Sequence, residues 1–328
     1  MVSNIQALRA FAALAVCWRH MLMWFGTDPG YGLFHVGRAG VDVFFVISGF
    51  IMFHTTRNND RTSVQFWADR VVRVAPLYWL MTLVIVALYL AGLPSGDVKH
   101  IDGNDVPLAL LFLPNIRGDE DWNPILSTGW TLIFEMYFYA LFGLTFFLRS
   151  QAKALALLTA FFVAAWLVST RIPLPFTLFR WSEPITLEFA AGGLLALLYR
   201  SPVELPKLSA RIAGWLLIAV GAAAFFVVAY LFTDATAEPT AFRTLINGPP
   251  AFMVVAGALM LERSGVVWKS RTLLLLGAAS YSLYVVHLPV FQYAALLWNQ
   301  LSPGMPQLLP LYYAAAYAAA VLAGLALY

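Results

Sequence analysis

The sequence contains only one cysteine among its 328 residues. Because a disulfide needs two thiols, none can form within the chain. The spacings of cysteine, histidine and acidic residues that are typical of metal sites are also absent. We therefore expect neither a disulfide scaffold nor a bound metal.

Charged residues are also scarce. They make up 11% of the chain, compared with about 25% in soluble domains, whereas 61% of the residues are hydrophobic. This composition excludes a water-soluble globule and predicts a polytopic membrane protein. The net charge of +3 comes from basic residues in short loops between apolar runs, so a nucleic-acid partner is not expected.

Apolar runs of about 17 to 22 residues are long enough to cross a bilayer as helices. We count ten, which predicts an all-α protein with a single transmembrane domain over residues 1–328. Because Met1 to Asn4 is uncharged and no small-residue cleavage site follows, the first run is expected to be retained as an anchor. The predicted spans are 5–25, 38–56, 75–93, 128–148, 153–169, 183–199, 212–232, 245–262, 276–298 and 308–328.

The basic residues in the connections predict the orientation in the membrane. Twelve of the twenty Lys and Arg residues follow the even-numbered spans, six lie on the opposite side and two are in the first span. Cytoplasmic loops carry the excess of Lys and Arg in membrane proteins. This bias predicts that both termini are cytoplasmic.

The first predicted span carries Arg9 and His20, and ionisable residues inside a membrane usually mark a functional site. They are eleven positions apart, which returns to within about 20° of the same direction, about 16 Å further along a helix. Both side chains are thus predicted to face one groove. The alternative is that Arg9 extends to the nearby interface and that His20 is a neutral imidazole held by a neighbouring helix.

With that orientation, three acids fall in the same outer layer as His20. They are Asp42 in the second span, Glu135 in the fourth and Glu188 in the sixth. A carboxylate in hydrocarbon takes up a proton unless a cation or a hydrogen-bond donor stabilises it, so each of these acids is expected to have such a partner or a catalytic role. Glu135 is the first choice for orienting His20 and Asp42 the second, although the position of Asp42 is also typical of a helix N-cap.

A second layer lies near the cytoplasmic surface. Arg70 and Arg73 are three residues apart, so on a helix they point the same way, and two guanidinium groups suit a phosphate. Arg9, Tyr281 and Tyr284 are predicted to share this layer. The alternative is that the arginine pair only sets the topology and contacts anionic lipid.

His287 falls near the middle of the ninth span, on the same face as Tyr284. Its distance from the outer carboxylates makes it the less expected of the two histidines as a catalytic residue. Together with Glu188 and Trp130, it is predicted to belong to the substrate-binding residues.

Five motifs together resemble the acyltransferase-3 family of bacterial integral-membrane O-acyltransferases, in particular its exopolysaccharide-modifying branch. The resemblance covers essentially the whole chain. It implies an enzyme that takes an acyl group, usually acetyl, from cytoplasmic acyl-coenzyme A and delivers it to a hydroxyl of an extracytoplasmic or lipid-linked glycan. The motifs are Arg9 with ten residues before His20, GVDVFFVISGF, Arg70-x-x-Arg73, WTLIFE ending at Glu135, and SYSLYVVH ending at His287.

The resemblance also implies roles for individual residues and a location in the bacterial inner membrane. The histidine matching His20 is the catalytic residue, and the arginines matching Arg9, Arg70 and Arg73 lie at the coenzyme A site. Imidazole, with an ordinary pKa of about 6.5, is well matched to a general base, which is the role predicted for His20. The sequence lacks the soluble esterase-like domain that some members append, so transfer is expected within the membrane domain or with a partner, and an oligomer is compatible with it.

Two other functions fit parts of the pattern. A transporter or flippase of lipid-linked sugars also has charges at mid-membrane, but the inverted repeats with paired broken helices that would favour it are not found. A glycosyltransferase with a polyprenyl donor would carry metal-binding acids or an outer loop domain larger than residues 94–127. The acyltransferase is therefore the preferred interpretation.

Overall fold

The computed structural model describes residues 2–25, 36–56, 62–95, 98, 100–114, 123–203, 205–231, 240–301 and 305–328, without the side chains of 240–242, 301 and 306. Four of the basic residues used to predict the topology lie outside these ranges. They are Arg57, Arg61, Lys99 and Arg117.

All regular structure in the described ranges is helical, which confirms the predicted all-α class. The α-helices are α1 (Ser3–Trp24), α2 (Ala39–Thr55), α3 (Ser63–Leu90), α4 (Asp105–Leu110), α5 (Gly129–Leu144), α6 (Gln151–Ser169), α7 (Phe176–Trp181), α8 (Thr186–Tyr199), α9 (Lys207–Leu231), α10 (Thr240–Arg263), α11 (Arg271–Ala278), α12 (Ser280–Leu301) and α13 (Leu309–Ala326).

Judged by helix length and composition, fewer helices can cross the membrane than the ten that the sequence predicts. Six of the described helices are long and apolar enough to cross a bilayer, and the pair α11 and α12, bent by 71° at its break, would make a seventh. Each predicted span nevertheless contains a helix, including the polar α1 and the shorter α2 and α8. The chain is thus a polytopic membrane protein, while ten crossings and cytoplasmic termini stay predictions.

Helix α1 is central to the bundle, because it packs against α2, α10, α11, α12 and α13. Its first backbone N–H groups, which a helix cannot satisfy internally, donate to the Glu262 carboxylate from Ser3 at 2.8 Å and from Asn4 at 2.7 Å. The Asn4 side chain donates to the carbonyls of Ala258 at 3.1 Å and Val266 at 2.9 Å. These bonds fix the position of α1 along its axis, and with it the depth of His20.

Helices α2 and α8 cross at two glycines. A Cβ atom on Gly49 would lie 2.0 Å from the carbonyl oxygen of Phe189, and one on Gly192 would lie 1.9 Å from that of Val46. Only glycine permits such a close backbone approach, as is common where membrane helices pack. The crossing brings the second and sixth predicted spans together.

We expect Gly192→Ala to destabilise the protein by about 1–3 kcal/mol, the usual cost of forcing extra atoms into a packed interior. Thermal unfolding in detergent, followed by tryptophan fluorescence, measures the change. Gly103→Ala is the matched control, because nothing lies within 4 Å of the Cβ that it adds. Equal midpoints for the two variants would contradict the assigned close approach.

Candidate active site

A cavity opens between α1, α2, α3, α5 and α12, and it contains most of the residues that the sequence assigned to the donor. Its volume is about 80 Å³, which is several times what one water needs. Its polar lining residues are Arg9, Ser48, Arg73, Thr131, Glu135, Tyr139, Ser280, Tyr281 and Tyr284.

Two of the three predicted arginines line this cavity. Arg9 and Arg73 contribute from α1 and α3, and Arg9 Nη1 donates to Gln6 Oε1 at 3.4 Å. The Arg70 guanidinium lies beside them, 5.5 Å from the ring centre of Phe66 and 5.9 Å from that of Tyr139. The helix that carries Arg70 and Arg73 therefore places one guanidinium on the cavity wall and the other against its aromatic border.

Glu135 belongs with the arginines rather than with His20. Its Oε1 accepts a hydrogen bond from Ser48 Oγ at 2.8 Å and a short one from the Tyr139 hydroxyl. These bonds replace the predicted orienting contact with His20. The sequence did not identify Ser48 of α2 as a neighbour of Glu135.

The two predicted tyrosines line the same cavity from the first turns of α12. The Tyr281 hydroxyl donates to the Val74 carbonyl of α3. The Tyr284 hydroxyl accepts from Thr131 Oγ1 at 2.9 Å and donates to the Thr128 carbonyl at 3.3 Å. These hydrogen bonds fix α12 against α3 and α5.

The two histidines meet beyond Tyr284. His287 Nε2 lies 2.9 Å from His20 Nδ1, and His287 Nδ1 lies 3.1 Å from the Leu283 carbonyl oxygen. The Tyr284 and His287 ring centres are 5.8 Å apart. The sequence placed His287 only by its distance from the outer carboxylates and did not pair it with His20, whereas the packing of α12 on α1 brings the two rings together.

The cavity and the histidines thus form one continuous series. Arg9 lines the cavity, but His20 is reached through Tyr284 and then His287 rather than by facing the same open groove. The prediction that Arg9 and His20 face one groove is therefore wrong. Instead, a line of contacts leads from the arginine-lined cavity to the pair of histidines.

Asp42 forms a buried ion pair that the sequence did not predict. Arg243 of α10 donates to both carboxylate oxygens, from Nε at 3.3 Å and from Nη2 at 3.0 Å. Asp42 makes no side-chain capping bond at the start of α2, so the predicted cap is wrong, and its pairing with Arg243 replaces the suggested orientation of His20.

Glu188 and Trp130 complete this second cluster. Glu188 is buried and interacts electrostatically with Asp42 and Arg243, and its carboxylate lies against Gly248. The Arg243 guanidinium stands 5.3 Å from the Trp130 ring centre. The predicted carboxylate layer is therefore divided, with Glu135 at the cavity and the other two acids around Arg243.

Arg243 is the residue that sequence reasoning missed. It was counted only as a loop charge, because the eighth span was predicted to begin at residue 245, whereas α10 begins at Thr240. A buried Asp at the start of a span was the available sign, since such an acid requires a cationic partner.

Comparison with known proteins gives a family match over residues 2–328, to the model described as an acyltransferase domain. Relatives include the exopolysaccharide production protein ExoZ of Rhizobium meliloti, 37% identical over 257 residues, which are 77% of this chain and 76% of the relative. The acyltransferase MdmB of Streptomyces mycarofaciens is 28% identical over 324 residues, covering 88% of this chain and 79% of that protein.

The peptidoglycan O-acetyltransferase OatA of Listeria monocytogenes is 24% identical over 324 residues, which are 88% of this chain and 49% of the relative. This chain therefore spans about half the length of that protein. No solved structure matches the chain.

Proposed function

Since the chain belongs to the acyltransferase family whose model it matches over residues 2–328, we propose that it is a membrane O-acyltransferase of exopolysaccharide. It transfers an acyl group, acetyl, from acyl-coenzyme A to a hydroxyl of the polysaccharide or of its lipid-linked precursor. The similarity to an exopolysaccharide production protein and to a peptidoglycan O-acetyltransferase supports a glycan as the acceptor.

The donor fits the cavity by charge. Arg9 and Arg73 offer two guanidinium groups on the cavity wall, with Arg70 beside them, and guanidinium groups bind phosphate in a forked geometry. In this proposal the pantetheine arm occupies the cavity, while the nucleotide stays outside. Tyr281 and Tyr284 then line the path of the arm towards the histidines.

His20 acts as the general base in this proposal. It takes the proton from the acceptor hydroxyl, whose oxygen attacks the thioester carbonyl carbon. The carbon–oxygen bond of the ester forms, the carbon–sulfur bond breaks, and the leaving thiolate receives the proton, giving coenzyme A thiol. The observation that carries the proposal is the continuous series of contacts from the arginine-lined cavity through Tyr284 and His287 to His20.

The two substrates approach from opposite sides. The predicted topology places the arginines near the cytoplasm, where acyl-coenzyme A is made, and His20 nearer the outer surface of the inner membrane. Glu188 and Trp130, in the cluster around Arg243, are the residues we assign to the acceptor. Charged coenzyme A then never has to cross the bilayer.

Arg73→Ala is expected to weaken acyl-coenzyme A binding by about 1.5–3 kcal/mol, the range for hydrogen bonds to charged groups. Arg73→Lys should retain only part of the affinity, because an ammonium group cannot make the forked contact. Titration calorimetry on purified protein measures both changes. Lys153→Ala removes an exposed cation outside the cavity and serves as the control, and an Arg73→Ala affinity equal to that of the control would remove Arg73 from the donor site.

The function as a whole is tested by the O-acetyl content of the host's surface glycans, read by proton NMR. We expect the acyl signals to disappear when the gene is deleted and to return with the intact gene. Glycans that are exported normally and carry the same acyl signals without the gene would overturn the proposal.

A further inference from the structure

We propose that His287 is a positioning residue that fixes which ring nitrogen of His20 carries the proton, so that Nε2 of His20 holds the free lone pair. The inference rests on the proposed function, because it supplies the base of that reaction in its reactive form. Its evidence is the pair of hydrogen bonds that joins Leu283, His287 and His20 in series.

The first bond determines the tautomer of His287. A carbonyl oxygen only accepts hydrogen bonds, so His287 Nδ1, 3.1 Å from the Leu283 oxygen, must carry a hydrogen. In a neutral imidazole the other nitrogen then has no hydrogen and is an acceptor. His287 therefore presents a lone pair on Nε2.

The surroundings of His287 favour the neutral imidazole. The residue is completely buried, and its ring is flanked by Tyr284 and Phe291, at ring-centre distances of 5.8 and 5.9 Å. Its hydrogen-bond partners are backbone carbonyls and another imidazole, none of which is an acid. A charge in such a place would lack the compensating anion that burial requires.

The second bond then determines the tautomer of His20. Because His287 Nε2 accepts, His20 Nδ1 at 2.9 Å must donate. The remaining nitrogen of a neutral His20 is Nε2, which keeps its lone pair and points away from His287. This is the nitrogen that can remove a proton from an acceptor hydroxyl.

The arrangement also serves the protonated state. After His20 has taken a proton on Nε2, its Nδ1 still carries a hydrogen and still donates to His287. The hydrogen bond is then charge-assisted and stronger, since the donor has become a cation. His287 thus stabilises both states without exchanging a proton itself.

Two variants of His287 separate this role from packing. The amide of Gln reaches the position of the imidazole Nε2, so His287→Gln can keep an acceptor for His20. The amide of Asn reaches only the position of Nδ1, so His287→Asn keeps a partner for Leu283 and loses the one for His20. Both are neutral and polar, and they differ by one methylene group.

Nitrogen NMR of protein labelled with ¹⁵N histidine reads the tautomer directly, with the His20 signals identified by their loss in His20→Ala. We expect hydrogen on Nδ1 of His20 in the unmodified protein and in His287→Gln, and a shift towards the other tautomer in His287→Asn. In transfer assays, His287→Asn should lower kcat by about 10- to 100-fold, the range for partners that orient a functional histidine, with an unchanged donor KM. His287→Gln should have most of the activity that His287→Asn loses.

Hydrogen on Nε2 of His20 in the unmodified protein would overturn the inference, and that measurement needs no variant to fold. An unchanged tautomer in a folded His287→Asn protein would overturn it as well. Failure of the proposed function would give a different result. Acylation that persists in His20→Ala would show that His20 is not the base, but it would not alter the tautomer measured in the unmodified protein.

Discussion

Replacing His20 by Ala is expected to lower acyl transfer by about 100- to 10,000-fold, the contribution of a general base. The variant removes the imidazole at the end of the contact series while leaving the arginine-lined cavity in place. Donor binding should therefore change little, and the protein should reach the membrane in normal amount. Transfer of labelled acetyl to isolated glycan, measured beside donor affinity, separates the two effects.

The control for this loss is a histidine away from the histidine pair. His100 is exposed, and its Nε2 lies 2.8 Å from the Asp102 carboxylate in the connection between α3 and α4. We expect His100→Ala to retain full activity. If His20→Ala transferred acyl groups as fast as His100→Ala, His20 would not be the base.

Replacing Arg243 by Met is expected to cost about 3–5 kcal/mol of folding free energy, the usual result of removing one partner of a buried ion pair. Asp42 is completely buried and would lose both hydrogen bonds from the guanidinium. Glu188, buried in the same cluster, would lose the nearby cation as well. The measurement is the thermal unfolding midpoint in detergent.

Two further variants distinguish the ion pair from a local packing defect. Adding Asp42→Asn to Arg243→Met removes the uncompensated charge and should recover part of the lost stability, because a pair replaced together costs less than a pair broken. Lys207→Met changes an exposed cation at the start of α9 and should leave the midpoint unchanged. A double variant less stable than the single one would contradict the assigned pairing.

What the sequence predicted well are properties that depend on one helix at a time. Span length placed a helix in each apolar run, and helical periodicity placed His287 and Tyr284 on one face, where their ring centres are 5.8 Å apart. The start of α3 was predicted twelve residues late, at 75 rather than at Ser63. The overlooked indication was the capping box, in which Thr62 and Gln65 bond each other's backbone N–H groups.

What the sequence did not predict are the contacts between helices. Counting residues along a span gives the depth of each side chain in the membrane. It does not show which helices are neighbours. Glu135 therefore appeared to share a layer with His20, whereas the packing of α2 on α5 pairs it with Ser48. The pairings of His287 with His20 and of Arg243 with Asp42 were missed for the same reason, since the paired residues are 267 and 201 positions apart in the chain.

In the proposed reaction the acyl group passes through the protein while coenzyme A and the glycan stay on their own sides. The test is protein in sealed liposomes, given labelled acetyl-coenzyme A outside and acceptor sugar inside. We expect labelled, acylated sugar inside and coenzyme A that remains outside. The yield should be proportional to the fraction of molecules with the cytoplasmic face outward, and His20→Ala should give no product. Intact sugar moved across the bilayer, with no acylated product in either compartment, would contradict the proposed reaction.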